Sequence, residues 1–180
     1  METALLADGT AIEVRPISPD DAPGLVEFHE GLSFETVYRR FFGVHPHLGR
    51  REAEHFCTVD SMARFALVAL VHGEIVGVAR MERLARASTA EVAFVVADRF
   101  QHRGLGRLLA RRLADAARQR GVEEFVAEIL PENQAMLRLL PDAGFEVKLS
   151  MGDGVVHLTC SIGPPDEAGS RPLGNGPPLA

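Results

Sequence analysis

The sequence is poor in several things at once, and each shortage excludes something. There is no tryptophan, one tyrosine (Tyr38), one lysine (Lys148), and only two cysteines, Cys57 and Cys160, in 180 residues. The cysteines stand about a hundred residues apart in no metal or redox spacing, which points to two free thiols in a reducing compartment. No apolar run approaches the ~20 residues needed to cross a bilayer. The N-terminus, METALLADGT, is acidic and has no apolar core behind it. The chain is therefore expected to be cytoplasmic, neither membrane-embedded nor exported. With 19 Lys+Arg against 25 Asp+Glu the formal charge is −6, which argues against a general nucleic-acid binder.

What is present is an ordinary core: 46% of the residues are hydrophobic, enough for one domain of this length. The charge is unevenly spread. Seven arginines (99, 103, 107, 111, 112, 118, 120) fall between Asp98 and Arg120, opposed only by Asp98 and Asp115, so that stretch is strongly basic within an acidic protein.

Periodicity predicts a strand at Ile12–Arg15, then a helix capped by Ser18 and started by Pro19, running to about Glu30. Ser33 caps a second helix whose residues Phe34, Val37, Tyr38, Phe41 and Phe42 recur at helical spacing and are expected to form a buried face. A loop, Gly43–Gly49, leads to a third helix over Arg50–Thr58. From Arg64 the pattern turns to antiparallel strands at Phe65–Val71, Glu74–Leu84 and Glu91–Ala97. An amphipathic helix over Gly104–Arg120 ends at Gly121, followed by a strand at Val122–Ile129, a helix at Pro131–Leu140, and a hairpin of Phe145–Met151 and Val155–Ile162. The strand–helix–strand from Glu91 to Ile129 requires a parallel pairing. Residues 1–162 read as one domain and residues 163–180, rich in Pro and Gly, as a disordered tail.

The segment that carries chemistry is Val95-Val96-Ala97-Asp98-Arg99-Phe100-Gln101-His102-Arg103-Gly104-Leu105-Gly106-Arg107, a strand running through a polar loop into a helix start. Glycines at 104 and 106 allow a close backbone approach, and first-turn N–H groups lack helical partners, so the site suits a phosphate. Arg103, Arg107 and Arg111, four residues apart, can add charge around it. The bland alternative is a helix start merely solvated by arginine. The dinucleotide fingerprint fails, because Leu109 stands where its third glycine belongs, and the Gly-Lys-Ser/Thr of a nucleotide P-loop is absent. His45, His47, His55 and Cys57 supply ligand types for zinc but in unfamiliar spacings, so no metal is expected.

Gln101-x-x-Gly104-x-Gly106, with Asn133 and Gly144-Phe145 downstream, resembles the acetyl-CoA pyrophosphate loop of the GNAT family of N-acetyltransferases. The resemblance implies an α+β, three-layer fold: a mixed, mostly antiparallel sheet with helices on both faces. It implies acetyl-CoA as co-substrate, with the pyrophosphate held by backbone N–H groups of Gln101, His102, Arg103, Gly104, Leu105, Gly106 and Arg107. Side-chain identity at His102 and Leu105 should then matter little. The backbone of Phe94, Val95 and Val96 would pair with the pantetheine arm where this strand and the next splay apart. Asn133 would contact the arm, or else serve as a local helix cap.

Only a free amine attacks a thioester, and at pH 7 a lysine with pKa ~10.4 is free in about one molecule in a few thousand, so a base is needed. Glu91, opening the strand into the loop, is the candidate, with burial expected to raise its pKa; the alternative is a solvated strand end. Many family members carry a leaving-group tyrosine four residues before the Gly-Phe pair, where this chain has Leu140. Pro141 is expected to interrupt and kink the preceding helix.

A narrower likeness covers Leu32-Ser33-x-Glu35-x-x-Tyr38-x-Arg40-Phe41-Phe42, Val59-Asp60-x-x-x-Arg64 and Ala90–Val96, which are similar to the acetyltransferase domain of bacterial Pat-type protein lysine acetyltransferases. It implies a protein lysine as acceptor, for example on an acyl-CoA synthetase, with no nucleic-acid or membrane partner. Those proteins often carry a nucleotide-sensing or acyl-CoA-synthetase-like domain on the same chain, and none is expected from this sequence. Two alternatives stay open: an acetyltransferase for small amines such as polyamines, amino acids or aminoglycosides, and a non-catalytic acyl-CoA-binding module.

Overall fold

The computed structural model describes residues 2–43, 47–60, 62–85 and 88–163. The predicted tail, from 164 onward, and His45 of the weighed zinc set lie outside them.

Eight strands form one sheet in the order β1-β2-β3-β4-β5-β6-β8-β7: β1 Glu2–Leu5, β2 Ala11–Pro16, β3 Arg64–Val71, β4 Glu74–Arg83, β5 Thr89–Val96, β6 Glu124–Ile129, β7 Glu146–Gly152 and β8 Val155–Ser161. Every neighbouring pair is antiparallel except β5–β6. Among the described residues five α-helices accompany it: α1 Ala22–Glu30, α2 Phe34–Phe41, α3 Arg50–Cys57, α4 Leu105–Arg118 and α5 Gln134–Asp142. None of the described helices is long and apolar enough to cross a membrane.

The run Arg64–Val71 is apolar on both sides because β3 is covered on both. Phe65, Leu67 and Ala69 join one buried cluster with Leu105, Leu109 and Leu113 of α4. Ala66, Val68 and Leu70 join another with Leu25 and Phe28 of α1 and Ala53 and Cys57 of α3. Helices thus sit on both faces of a mixed sheet, as expected. Helix α4 stops where predicted: Gly121 takes φ +74°, and the N–H groups of Gly121 and Val122 close on the Arg118 and Ala117 carbonyls.

Three expectations need correction. β1 was not foreseen; it pairs with β2 through the turn Leu6–Thr10. The apolar side of α2 is not a buried face: Val37 is buried at 7% exposure, but Phe34, Tyr38 and Phe42 are exposed at 68%, 38% and 42%. Pro141 does not interrupt α5, which runs through it to Asp142 and ends with the Ala143 N–H on the Leu139 and Leu140 carbonyls.

Candidate functional site

The one parallel contact in the sheet makes the site. β5 and β6 pair only at Thr89–Glu124, Ala90–Phe125 and Glu91–Val126, after which the strands separate. The separation leaves the inner edges of both strands without strand partners, and β5 runs on to Val96 along the gap. The gap opens into a pocket of about 530 Å³. Its walls come from β5 (Glu91–Val96), β6 (Ala127–Ile129), the loop into α4, α5 and the C-terminal part of α2.

Glu91 stands at the last paired position, lines the pocket and is exposed. The carboxylate opens into the pocket, where it can meet an incoming amine directly or through water. Phe94, Val95 and Val96 follow along the wall, half-buried.

At the far end, Gly104 is the left-handed residue before α4, with φ +89° and ψ −3°. The first helical bond of α4 runs from the Leu108 N–H to the Gly104 carbonyl. The N–H groups of Leu105, Gly106 and Arg107 therefore precede it, at the positive end of a fourteen-residue helix. Gln101, His102, Gly104, Gly106 and Arg107 line the pocket, so backbone donors and one arginine converge where an anionic group can rest. At Gly106 a Cβ would come within 2.9 Å of Leu139 Cδ1, so this glycine lets α5 close against the start of α4. The residues present fit an acyl-CoA: an anion cradle at one end, a slot with unpaired strand edges in the middle, and a carboxylate at the other end.

Several predicted residues lie elsewhere. Arg103 is outside the pocket, donating to Asp8 Oδ2 at 3.1 Å and lying over the Phe100 ring. Leu105 is fully buried in the core under the sheet, so its side chain is not free to vary as expected. Arg111 donates to the Ala143 carbonyl and Arg118 to the Ile162 carbonyl, which leaves Arg107 as the pocket-lining member of the basic stretch. Leu140, the position of the missing tyrosine, is fully buried and faces the core; its neighbour Leu139 lines the pocket instead. Asn133 is a helix cap that also borders the pocket. Its Oδ1 accepts from the Met136 N–H at 3.1 Å as the α5 cap, and the residue lines the pocket. Gln101 has its side-chain amide committed to the Val96 carbonyl and Thr36 Oγ1, each at 3.1 Å.

Arg39 and Arg40 of α2 and Arg138 of α5 were not anticipated as pocket residues. Arg40 is the most perturbed of them. Burial, reinforced by the nearby Arg80 cation and opposed by Glu91, pulls its pKa down to about 10. The signal that would have found it was the Arg40-Phe41-Phe42 run, where a charge interrupts an otherwise apolar helix side. Among the described residues there is no group of three His, Cys, Asp or Glu that could hold a metal ion.

Residues 32–145 match the acetyltransferase (GNAT) family. The chain is 33% identical over 162 residues to the acetyltransferase Pat of Mycolicibacterium smegmatis, a match covering 88% of this chain and 48% of that protein. It is 31% identical over 144 residues to the acetyltransferase PA5475 of Pseudomonas aeruginosa, covering 78% of this chain and 77% of that one. The crystal structure of the GNAT domain of S. lividans PAT superposes with a TM-score of 0.83 at 40% identity, covering 88% of this chain and 94% of that chain. The chain spans about half the length of the mycolicibacterial relative.

Proposed function

The chain belongs to the acetyltransferase (GNAT) family, and from that premise we propose that it transfers the acetyl group of acetyl-CoA to the side-chain amine of a lysine in a protein. The observation that carries the reading is the position of Glu91: a carboxylate at the point where β5 and β6 part, at one end of a slot whose other end is the Gly104–Arg107 cradle.

In this reading acetyl-CoA supplies the activated thioester carbonyl. The chain's own residues do the rest. The N–H groups of Leu105, Gly106 and Arg107 hold the pyrophosphate, and the edge of β5 from Phe94 to Val96, which has no strand partner on that side, receives the pantetheine amides. Glu91 takes the proton of the acceptor ammonium, so that the neutral amine attacks. A thiolate is a weak base and a tolerable leaving group, so the lack of a hydroxyl at Leu140 does not block the step.

A protein acceptor is supported by the likeness to Pat-type acetyltransferases and by the surroundings of Glu91. The face of the sheet it shares continues across β6, β8 and β7 as Glu128, His157, Thr159, Lys148 and Ser150, all exposed or half-buried. The β7–β8 turn is only Asp153-Gly154, too short to fold over the site. An extended polypeptide therefore has room beside Glu91, with the Glu128 carboxylate on the same face.

The test is to incubate the protein with labelled acetyl-CoA and either a cell lysate or purified acyl-CoA synthetases, and to locate acetyl-lysines by mass spectrometry. Small amines run in parallel. The expected result is lysine acetylation that falls ~100-fold or more with Glu91→Gln at neutral pH, in line with loss of a general base. Preferred turnover of a free polyamine or aminoglycoside, or undiminished transfer by the variant, overturns the proposal.

A further inference from the structure

Helix α2 poses a question of anchorage. It is eight residues long, well short of the ~12–15 at which isolated helices become stable in water. Val37 is its sole fully buried side chain, and three of its aromatic neighbours are exposed. Yet α2 and the residue after it contribute Thr36, Arg39, Arg40 and Phe42 to the pocket, with Arg40 near enough to Glu91 for the two charges to interact. Apolar burial does not explain how so small an element holds a defined place there.

The hold is polar and comes from the other side of the site. Asp98, at the end of β5 and 65 residues away in sequence, accepts three hydrogen bonds from the first turn of α2. These come from the Ser33 N–H to Oδ2 at 2.9 Å, Ser33 Oγ to Oδ1 at 2.6 Å, and Thr36 Oγ1 to Oδ1 at 2.8 Å. Ser33 Oγ in turn accepts from the Thr36 N–H at 3.2 Å, so the helix cap and the clamp share an atom. Partial burial pulls the Asp98 carboxyl upward, but the hydrogen bonds from Ser33 and Thr36 outweigh it and leave the group below its ordinary value, ionised at neutral pH. A carboxylate is also the favoured charge at a helix N-terminus. Gln101 completes the link: its amide bridges Thr36 Oγ1 and the Val96 carbonyl, joining α2 to the loop that starts the anion cradle.

We propose that Asp98 is a positioning residue for the acceptor half of the site: it seats α2, and with it Arg40, against Glu91, and ties that seating to the loop that receives the acyl donor. The inference rests on the acetyltransferase reading above. Its consequence is reciprocal coupling. Because the clamp and the cradle share the segment Val96–Gln101, donor binding steadies α2 and improves acceptor binding, the acceptor improves donor binding by the same factor, and loss of the clamp weakens acceptor binding while leaving donor binding without acceptor little changed.

The experiment compares the intact protein with Asp98→Ala and Asp98→Asn, using poly-L-lysine as the acceptor probe and calorimetry for acetyl-CoA. Asn keeps an oxygen for the two hydroxyls but presents an NH2 group to the Ser33 N–H, so it rescues in part. The expected result is an acceptor KM raised about tenfold or more in Asp98→Ala and by less in Asp98→Asn, with the Kd of acetyl-CoA within about threefold of the parent. Hydrogen exchange adds a readout independent of turnover: acetyl-CoA should slow exchange of the α2 amides in the parent and not in Asp98→Ala. Equal losses toward donor and acceptor, a fall in kcat alone, or donor-induced protection of α2 that survives the alanine variant each overturns the proposal. If the parent protein acetylates no amine at all, the acetyltransferase reading fails, while the exchange experiment still decides whether Asp98 couples α2 to the donor loop.

Discussion

Two glycines at the start of α4 give opposite expectations on the same substitution. Gly104 holds φ +89°, and a Cβ there would meet only Arg107 Nη2 at 3.4 Å, the movable end of a long side chain. Space is available; the backbone is the obstacle. A left-handed conformation costs an L-residue roughly 1–2 kcal/mol, and the alanine variant has two ways to respond. If the loop keeps its shape, the strain appears as lost stability, a fall of about 2–4 °C in Tm per kcal/mol for a chain of this size. If the loop relaxes to negative φ, the N–H groups of residues 105–107 turn away from the anion position. Losing one charge-assisted hydrogen bond of ~1.5–3 kcal/mol weakens acetyl-CoA about tenfold to a hundredfold. Gly106 has no positive φ; its Cβ would press on Leu139 Cδ1 at 2.9 Å, and that methyl belongs to a flexible, half-buried side chain. Overpacking of ~1 kcal/mol is there offset by alanine's better helix propensity, also ~1 kcal/mol. Scanning calorimetry and titration calorimetry on both variants separate the cases. Gly104→Ala should lose stability, acetyl-CoA affinity or both, whereas Gly106→Ala should stay within about threefold in affinity and a few degrees in Tm. Parent-like behaviour of Gly104→Ala, or a greater loss in Gly106→Ala, refutes the assignment of the backbone conformation as the controlling feature.

Leu140→Tyr, the substitution that would restore a tyrosine, should lower stability by roughly 1–3 kcal/mol through overpacking a fully buried site and should not raise kcat; a rate gain would mean that position 140 reaches the pocket after all. The Asp21 carboxyl is held below its ordinary value chiefly by the Arg15 guanidinium, with bonds at 2.7 and 2.8 Å, aided by the Ser18 N–H. Because the folded pKa lies below the unfolded one, this stabilisation is present above about pH 4 and is lost as pH falls through the folded value. Asp21→Asn should therefore cost ~1–3 kcal/mol in urea denaturation at pH 7 and progressively less toward pH 2. Burial pushes the Cys57 and Cys160 thiols up to about 11, so neither should react with a thiol reagent at pH 8 until the chain unfolds. Lys148 shares the Glu91 face three strands away, roughly 14 Å at ~4.8 Å per strand, so self-acetylation at this site should be intermolecular and rise with protein concentration.

Element types followed from periodicity, because β3, β4 and α4 each bury a large apolar surface whose spacing is set by their own geometry. β1 escaped notice because four residues are too few for alternation to register, and its strand state depends on pairing with β2. The α2 pattern is legible and its burial is not: helical spacing reveals an apolar side but not whether anything lies against it, and α2 borders an open pocket. The cradle was legible because glycine and helix-start chemistry are local. The arginines around it were not, since fourfold spacing cannot say that Arg103 finds Asp8 across 95 residues or that Arg111 turns to a carbonyl of the chain beyond α5. Most of the basic stretch holds the fold together. Asp98 was counted only as a charge opposing that stretch, whereas its hydroxyl and amide partners come from a segment 65 residues earlier.

The parting of β5 and β6 also sets the mechanical character of the sheet. β4–β5 is laced by seven paired positions and β6–β8 by six, while β5–β6 has three, all at one end. The sheet is thus two well-laced parts joined by a short seam, and what holds them together beyond that seam is the apolar cluster that runs from Phe65 and Met81 through Leu105, Leu109 and Leu113 of α4 to Phe125 and Leu158.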